Sequence, residues 1–180
     1  MTSSTDSSLQ HGDGRRWIIM GVCGCGKTTA GAALAARLGV PFLEGDAYHP
    51  APNVAKMSAG IPLTDDDRAG WLQTLAGEIG AARAEGRGIV VSCSALKRRY
   101  RDLLRQADPG LSFAHLHGTY DTLAARMHTR TGHFMPASLL DSQMRDLEPL
   151  QSDEAGITLD LTQPPDALVA SIIASIDRTA

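Results

Sequence analysis

The chain has 180 residues, 43% of them hydrophobic and 21% charged, with a formal net charge of −3. This is the composition of a one-domain globular protein, and its slightly acidic balance gives no electrostatic case for nucleic acid or an anionic membrane as principal partner. Three cysteines, two of them one residue apart, make no disulfide framework and point to a reducing cytoplasm, and no apolar run reaches the roughly 20 residues of a membrane helix.

Residues 1–14 are small and polar, without the basic-then-apolar pattern of a secretory leader. They are expected to form a disordered tail, leaving 15–180 as a single domain. RWIIMG reads as a short buried strand, and Thr28 to Leu38 as an alanine-rich helix ended by Gly39. PFLEGD is a second strand closing in a glycine turn. Thr64 starts a helix with Asp65, Asp66 and Asp67 in its first turn, where the helix dipole favours negative charge; Leu72, Leu75 and Ile79 recur at helical spacing and Gly86 ends it.

GIVVSCS is a third strand, followed by a basic helix from Ala95 to Gln106. FAHLH is a fourth strand, leading into helices over Asp121 to Arg130 and Pro136 to Leu150. ITLDL is the fifth strand, and Asp166 to Asp177 closes the chain as a helix. Strands and helices interleaved in this way predict an α/β fold, a parallel sheet covered on both faces, with ligands beyond the carboxyl ends of its strands.

Three chemical segments fall at those ends. The first, GVCGCGKTT, fits G-x-x-x-x-G-K-[ST] between a strand and a helix. Its glycines let the backbone fold into a nest of N–H groups for phosphate oxygens, Lys27 reaches the outer phosphates, and the Thr28 hydroxyl suits Mg²⁺. Cys23 and Cys25 occupy free positions of this motif. They lack the companions of a zinc site, which leaves a thiol made reactive by the helix N-terminus, or simply two small residues.

The second segment, GDAYHP, places Asp46 and His49 beyond the second strand. A carboxylate there can orient an acceptor hydroxyl, take its proton, or hold a water on Mg²⁺. The third, SCSALKRRYRDLLR, presents Lys97 as the cation best placed to meet a substrate anion. Arg126 and Arg130, four apart on one helix and followed by TGHFMP, suit a lid closing on phosphates. The loop at Gln163-Pro164 is a candidate adenine rim.

Together, GVCGCGKTT, GDAYHPAPNVAKMSAGIPLTDDDRAGWL, CSALKRRYRDLLR and TGHFMPASLLDSQMRDLEPL resemble the gluconokinases, ATP-dependent D-gluconate 6-kinases among the small P-loop carbohydrate kinases. The resemblance implies a P-loop NTPase of nucleoside-monophosphate-kinase-like, three-layer form: a five-stranded parallel sheet, a substrate-side segment about 46–70 and a mobile lid about 126–138. It also implies Mg·ATP, a homodimer and a place in pentose phosphate metabolism. Carried over, Gly21, Gly24, Cys25, Gly26, Lys27, Thr28 and Thr29 cradle ATP, joined by Arg126 and Arg130. Lys27, Asp46 and the two arginines are the catalytic set, and Thr28 holds the metal with Asp46 reached through water. Asp46, His49, Lys56, Arg68 and Lys97 form the sugar-acid pocket. The family commonly carries Ser where Cys23 and Cys25 stand; His133 and Phe134 match its lid pattern without an assignable role. Two alternatives remain open: a related kinase with a shikimate- or nucleoside-monophosphate-like acceptor, and a nucleotide-binding module without turnover. The run from Lys56 to Leu72 favours gluconate over the first.

Overall fold

The computed structural model describes residues 14–129 and 137–177. The expected tail before Gly14, and Arg130, His133 and Phe134 of the expected lid, lie outside the described residues.

Among the described residues, five parallel strands run β1 (Arg16–Met20), β2 (Phe42–Glu44), β3 (Ile89–Ser92), β4 (Ser112–His117) and β5 (Gly156–Asp160), in the spatial order β2-β3-β1-β4-β5. Successive side chains point to opposite faces. Trp17 and Ile19 therefore enter one core and Ile18 and Met20 the other. Ile18, Ile19, Val90 and Val91 are fully buried, each contributing about 1.5–3 kcal/mol of hydrophobic burial. This explains why β1 and β3 read as continuous apolar runs.

The first core is closed by α1 (Lys27–Leu38) and α7 (Pro165–Asp177), with Leu123 of α5 (Tyr120–Thr129) and Leu140 of α6 (Ala137–Asp146). The second is closed by α3 (Asp65–Ala84), through Trp71, Leu72, Leu75 and Ile79, and by α4 (Arg98–Ala107), through Tyr100 and Leu104. Thr64 caps α3 in a reciprocal capping box with Asp67.

Three local expectations are corrected. The basic helix begins at Arg98 rather than Ala95, because Ala95 takes φ 43°, left-handed for a non-glycine residue, and Lys97 is extended. The helix expected to reach Leu150 stops at Asp146; Pro149 disfavours helical backbone in the residue before it, and the Glu148 N–H donates to the Leu96 carbonyl at 2.8 Å instead. Between β2 and α3, where the sequence predicts no element, the chain forms a 3₁₀ turn, Gly45–Tyr48, and a short helix, α2 (Ala51–Ser58).

Candidate active site

The phosphate loop joins β1 to α1. Gly24 has φ 77°, and a Cβ there would stand 2.8 Å from Met127 Cγ, so both backbone and space demand glycine. Gly26, φ 99°, is the N-cap of α1. The Lys27 ammonium donates to the Val22 carbonyl at 3.0 Å, folded back under the loop. Burial works against its charge, but Cys25 and then Asp46 favour it and hold its pKa above the ordinary lysine value. A charged lysine thus stands ready beneath an anion nest.

Cys23 and Cys25 are buried. Burial pushes the Cys23 thiol up to about 11 against the opposing pull of Lys27. It is therefore not the reactive thiol that a helix N-terminus alone would create. Among the described residues no group of three or more His, Cys, Asp and Glu could hold a metal ion. Both cysteines are small packed residues of the loop.

One cleft opens beside the loop. Its walls include Cys23, Lys27, Asp46, His49, Arg68, Trp71, Ser94, Leu139, Ser142 and Gln143. Asp46 and His49 from one segment and Arg68 from α3 thus meet the phosphate-loop lysine in one space. Asp46 sits on the 3₁₀ turn with 64% of its side chain exposed, and His49 Nε2 is 3.9 Å from it. The His49 ring stacks on Trp71 with centroids 4.1 Å apart, while the Trp71 indole N–H donates to the Gly45 carbonyl at 2.7 Å. Trp71 therefore fixes both the turn bearing Asp46 and the imidazole beside it. Burial lowers the His49 pKa, Asp46 opposing and Arg68 reinforcing, so the ring is neutral at pH 7.

Arg68 is buried, and its Nη1 donates to the Tyr100 hydroxyl and to Asp146 Oδ2, each at 3.3 Å. Lys97 stands one residue further out: its ammonium donates to Asp65 at 3.1 Å and lies 3.5 Å from Asp146 Oδ1. Lys56 is not among the cleft residues. Its ammonium donates to both Asp67 oxygens, at 2.7 and 2.8 Å, and holds that carboxyl at about 2, welding α2 to the cap of α3.

On the nucleotide side, Arg126 Nη2 donates to the Leu161 carbonyl at 2.6 Å. A Cβ on Gly26 would lie 3.8 Å from Arg126 Nη1, so this guanidinium, held by the segment after β5, lies beside the phosphate loop. Thr28 and Thr29 are exposed at the first turn of α1.

Two side chains of this site are not among the residues expected from the sequence. Glu44, at the end of β2, accepts the Thr28 hydroxyl at 2.5 Å and also the Ser92 hydroxyl. A hydroxyl and a carboxylate touching at the foot of an anion nest are hard oxygen donors of the kind that suit Mg²⁺ and its retained waters. The signal was present as two acids one residue apart, Glu44 and Asp46, at a strand end. The other is Gln143, whose Oε1 accepts the Cys23 backbone N–H at 2.7 Å.

The shikimate kinase family profile matches residues 23–177. A gluconokinase of Gluconobacter oxydans is 47% identical over 156 residues, covering 87% of this chain and 88% of that one. A crystal structure of a gluconokinase from Sinorhizobium meliloti 1021 has a TM-score of 0.85 at 47% identity, over 92% of this chain and 93% of that one. An unliganded sugar kinase from Janibacter sp. HTCC2649 has a TM-score of 0.87 at 48% identity, over 91% and 94%.

Proposed function

Since the chain belongs to the gluconokinase family, we propose that it transfers the γ-phosphoryl group of ATP to the 6-hydroxyl of D-gluconate, giving 6-phosphogluconate and ADP. The observation that carries this reading is the meeting of Lys27, Asp46 and Arg68 on one cleft. A cation under the phosphates, a carboxylate for the alcohol and a buried guanidinium for a carboxylate are the three groups the reaction needs.

The acceptor oxygen attacks the γ-phosphorus, the bond from that phosphorus to the β–γ bridging oxygen breaks, and the hydroxyl proton passes to Asp46. Lys27 neutralises the charge carried by the phosphates, and the loop N–H groups orient them. Arg126 stands on the ATP side, joined in this reading by Arg130. His49, held neutral, offers the sugar hydroxyls a donor or an acceptor, and Lys97 acts through Asp146 on Arg68. Lys56 belongs to the pocket wall only through its hold on α3.

Magnesium completes the reading. Thr28 and Glu44 are the residues that would hold the ion and its waters, and the ion would supply neutralisation of phosphate charge. Replacing Glu44 by Gln is expected to raise the Mg²⁺ concentration for half-maximal rate about 10–100-fold, with the KM for gluconate unchanged. Titrating Mg²⁺ at saturating ATP checks this. A homodimer and a cytoplasmic setting accompany the reading; three free buried cysteines agree with a reducing compartment.

The test offers Mg·ATP with gluconate, shikimate, glycerate or AMP and follows ADP release. ADP formation dependent on gluconate is the expected result. Turnover with shikimate alone would place the chain with the other kinases its family profile describes, and ATP binding without turnover would make it a binding module.

A further inference from the structure

Leu139, Ser142, Gln143 and Asp146 recur along α6 at three, four and seven residues from the first, so they share one helical face. That face is a wall of the cleft: Leu139, Ser142 and Gln143 line it, and Asp146 holds Arg68. Its N-terminal end is anchored by the Ser138 hydroxyl, which donates to the Gly60 carbonyl at 3.1 Å.

Gln143 has a particular place on this wall. A backbone N–H can only donate, so the atom facing Cys23 N at 2.7 Å must be the carboxamide oxygen. The orientation of the amide follows from its partner. Its Nε2, with two donor hydrogens, makes no hydrogen bond to any described residue and belongs to a side chain that lines the cleft. Cys23 and Lys27 line the same cleft from the phosphate side and Asp46 from the acceptor side. The free amide thus stands where the two substrates meet, a carboxamide's width from the loop.

We propose that Gln143 is a specificity-determining residue of the acceptor site. Its Oε1 fixes the loop through Cys23, and its Nε2 donates to the acceptor hydroxyl on the carbon next to the one phosphorylated. The chemistry assigns this role to the neighbouring hydroxyl rather than the attacking one. A donor on the attacking oxygen would withdraw the electron pair that forms the new bond, and that oxygen already gives its proton to Asp46. The assignment rests on the gluconate reading above.

The experiment compares gluconate with 5-deoxygluconate in wild type, Gln143→Leu and Gln143→Glu. Wild type is expected to prefer gluconate in kcat/KM by about 10–100-fold, the effect of leaving a cleft donor unmet. Gln143→Leu is expected to lose that preference to within about threefold, mainly by raising the KM for gluconate. Gln143→Glu keeps an acceptor for the Cys23 N–H but has no donor. Its negative charge beside the phosphates is expected to raise the KM for ATP, and its carboxylate, which accepts from the neighbouring hydroxyl but cannot donate to it, to leave a preference smaller than that of wild type. Undiminished preference in either variant overturns the assignment while leaving the gluconate reading intact. So does, in Gln143→Leu, a KM for ATP that rises as much as the KM for gluconate, since that marks a loop prop alone. Wild type without gluconate turnover overturns both readings.

Discussion

Asp46→Asn is expected to lower kcat about 10²–10⁴-fold, the range of a positioned general base, with the KM for ATP within about threefold of wild type. That range corresponds to about 2.7–5.4 kcal/mol of barrier, well above the roughly 1 kcal/mol at most that a surface ion pair contributes. A merely structural Asp46 could not produce it. With its side chain 64% exposed and only the neutral His49 ring approaching it, at 3.9 Å, Asp46 contributes little to folding, so the melting temperature should hold. Two roles are separable. Asn can still accept a hydrogen bond from the acceptor but cannot take its proton, whereas Ala can do neither. Because phosphoryl transfer passes through a loose transition state in which the proton leaves late, orientation should carry part of the effect, and Asp46→Ala should be slower than Asp46→Asn. Steady-state kinetics of both variants, with gluconate saturating, decide it. A kcat within threefold of wild type in Asp46→Asn would remove proton transfer to this carboxylate from the mechanism.

The sequence was most legible where each residue has its own local reason. The phosphate loop could be read because glycine is needed at a positive φ, lysine at the outer phosphates and threonine at the metal, all within nine positions. The strands β1 and β3 could be read because burial on both faces leaves an unbroken apolar run. What could not be read depends on partners distant along the chain. The true start of α4 depends on Ala95, whose left-handed backbone is braced by Arg101 Nη1 on its carbonyl at 3.1 Å. Glu44 looked like the polar end of a strand until the fold brought Ser92 and Thr28 to its two oxygens. The resemblance put Lys56 in the sugar-acid pocket, and nothing local reveals that Asp67, already part of a cap, also engages its ammonium. Gln143 falls within a predicted helix, but only the fold shows that its face looks into the cleft.

Arg101 is the second test with a large expected effect, and it concerns stability rather than turnover. Its guanidinium is fully buried and donates to both oxygens of Glu154, at 2.7 and 2.8 Å, and to the carbonyls of Ala95, Leu96, Glu148 and Pro149. It therefore clamps α4, the loop after β3 and the segment before β5 together. Removing one partner of such a pair strands a buried charge and costs about 3–5 kcal/mol. Arg105 also reaches Glu154, at 2.5 Å, which places Arg101→Met at the low end, with a melting temperature lower by roughly 6–12 °C at about 2–4 °C per kcal/mol. The double variant Arg101→Met, Glu154→Leu removes both charges and should recover most of that loss, because desolvating two ions offsets most of what their attraction gains. Acid should expose the same pair. Despite burial, which works the other way, hydrogen bonds from Arg101, Gln151 and Arg105 hold Glu154 at about 2. The stabilisation is complete above the ordinary carboxyl pKa of 4.5 and is lost as pH falls from there towards 2. Burial also pushes His115 down to about 4; the unfolded chain takes up that proton first, so stability begins to fall already below about 6.5. Melting temperatures between pH 7 and 3 should therefore decline in two windows. His115→Leu should flatten the upper one, and the double variant should make the lower one shallower, leaving the share of Asp67, also held at about 2. A double variant that melts as low as Arg101→Met, or a lower window as deep in it as in wild type, would show that the clamp on Glu154 is not what acid dissolves.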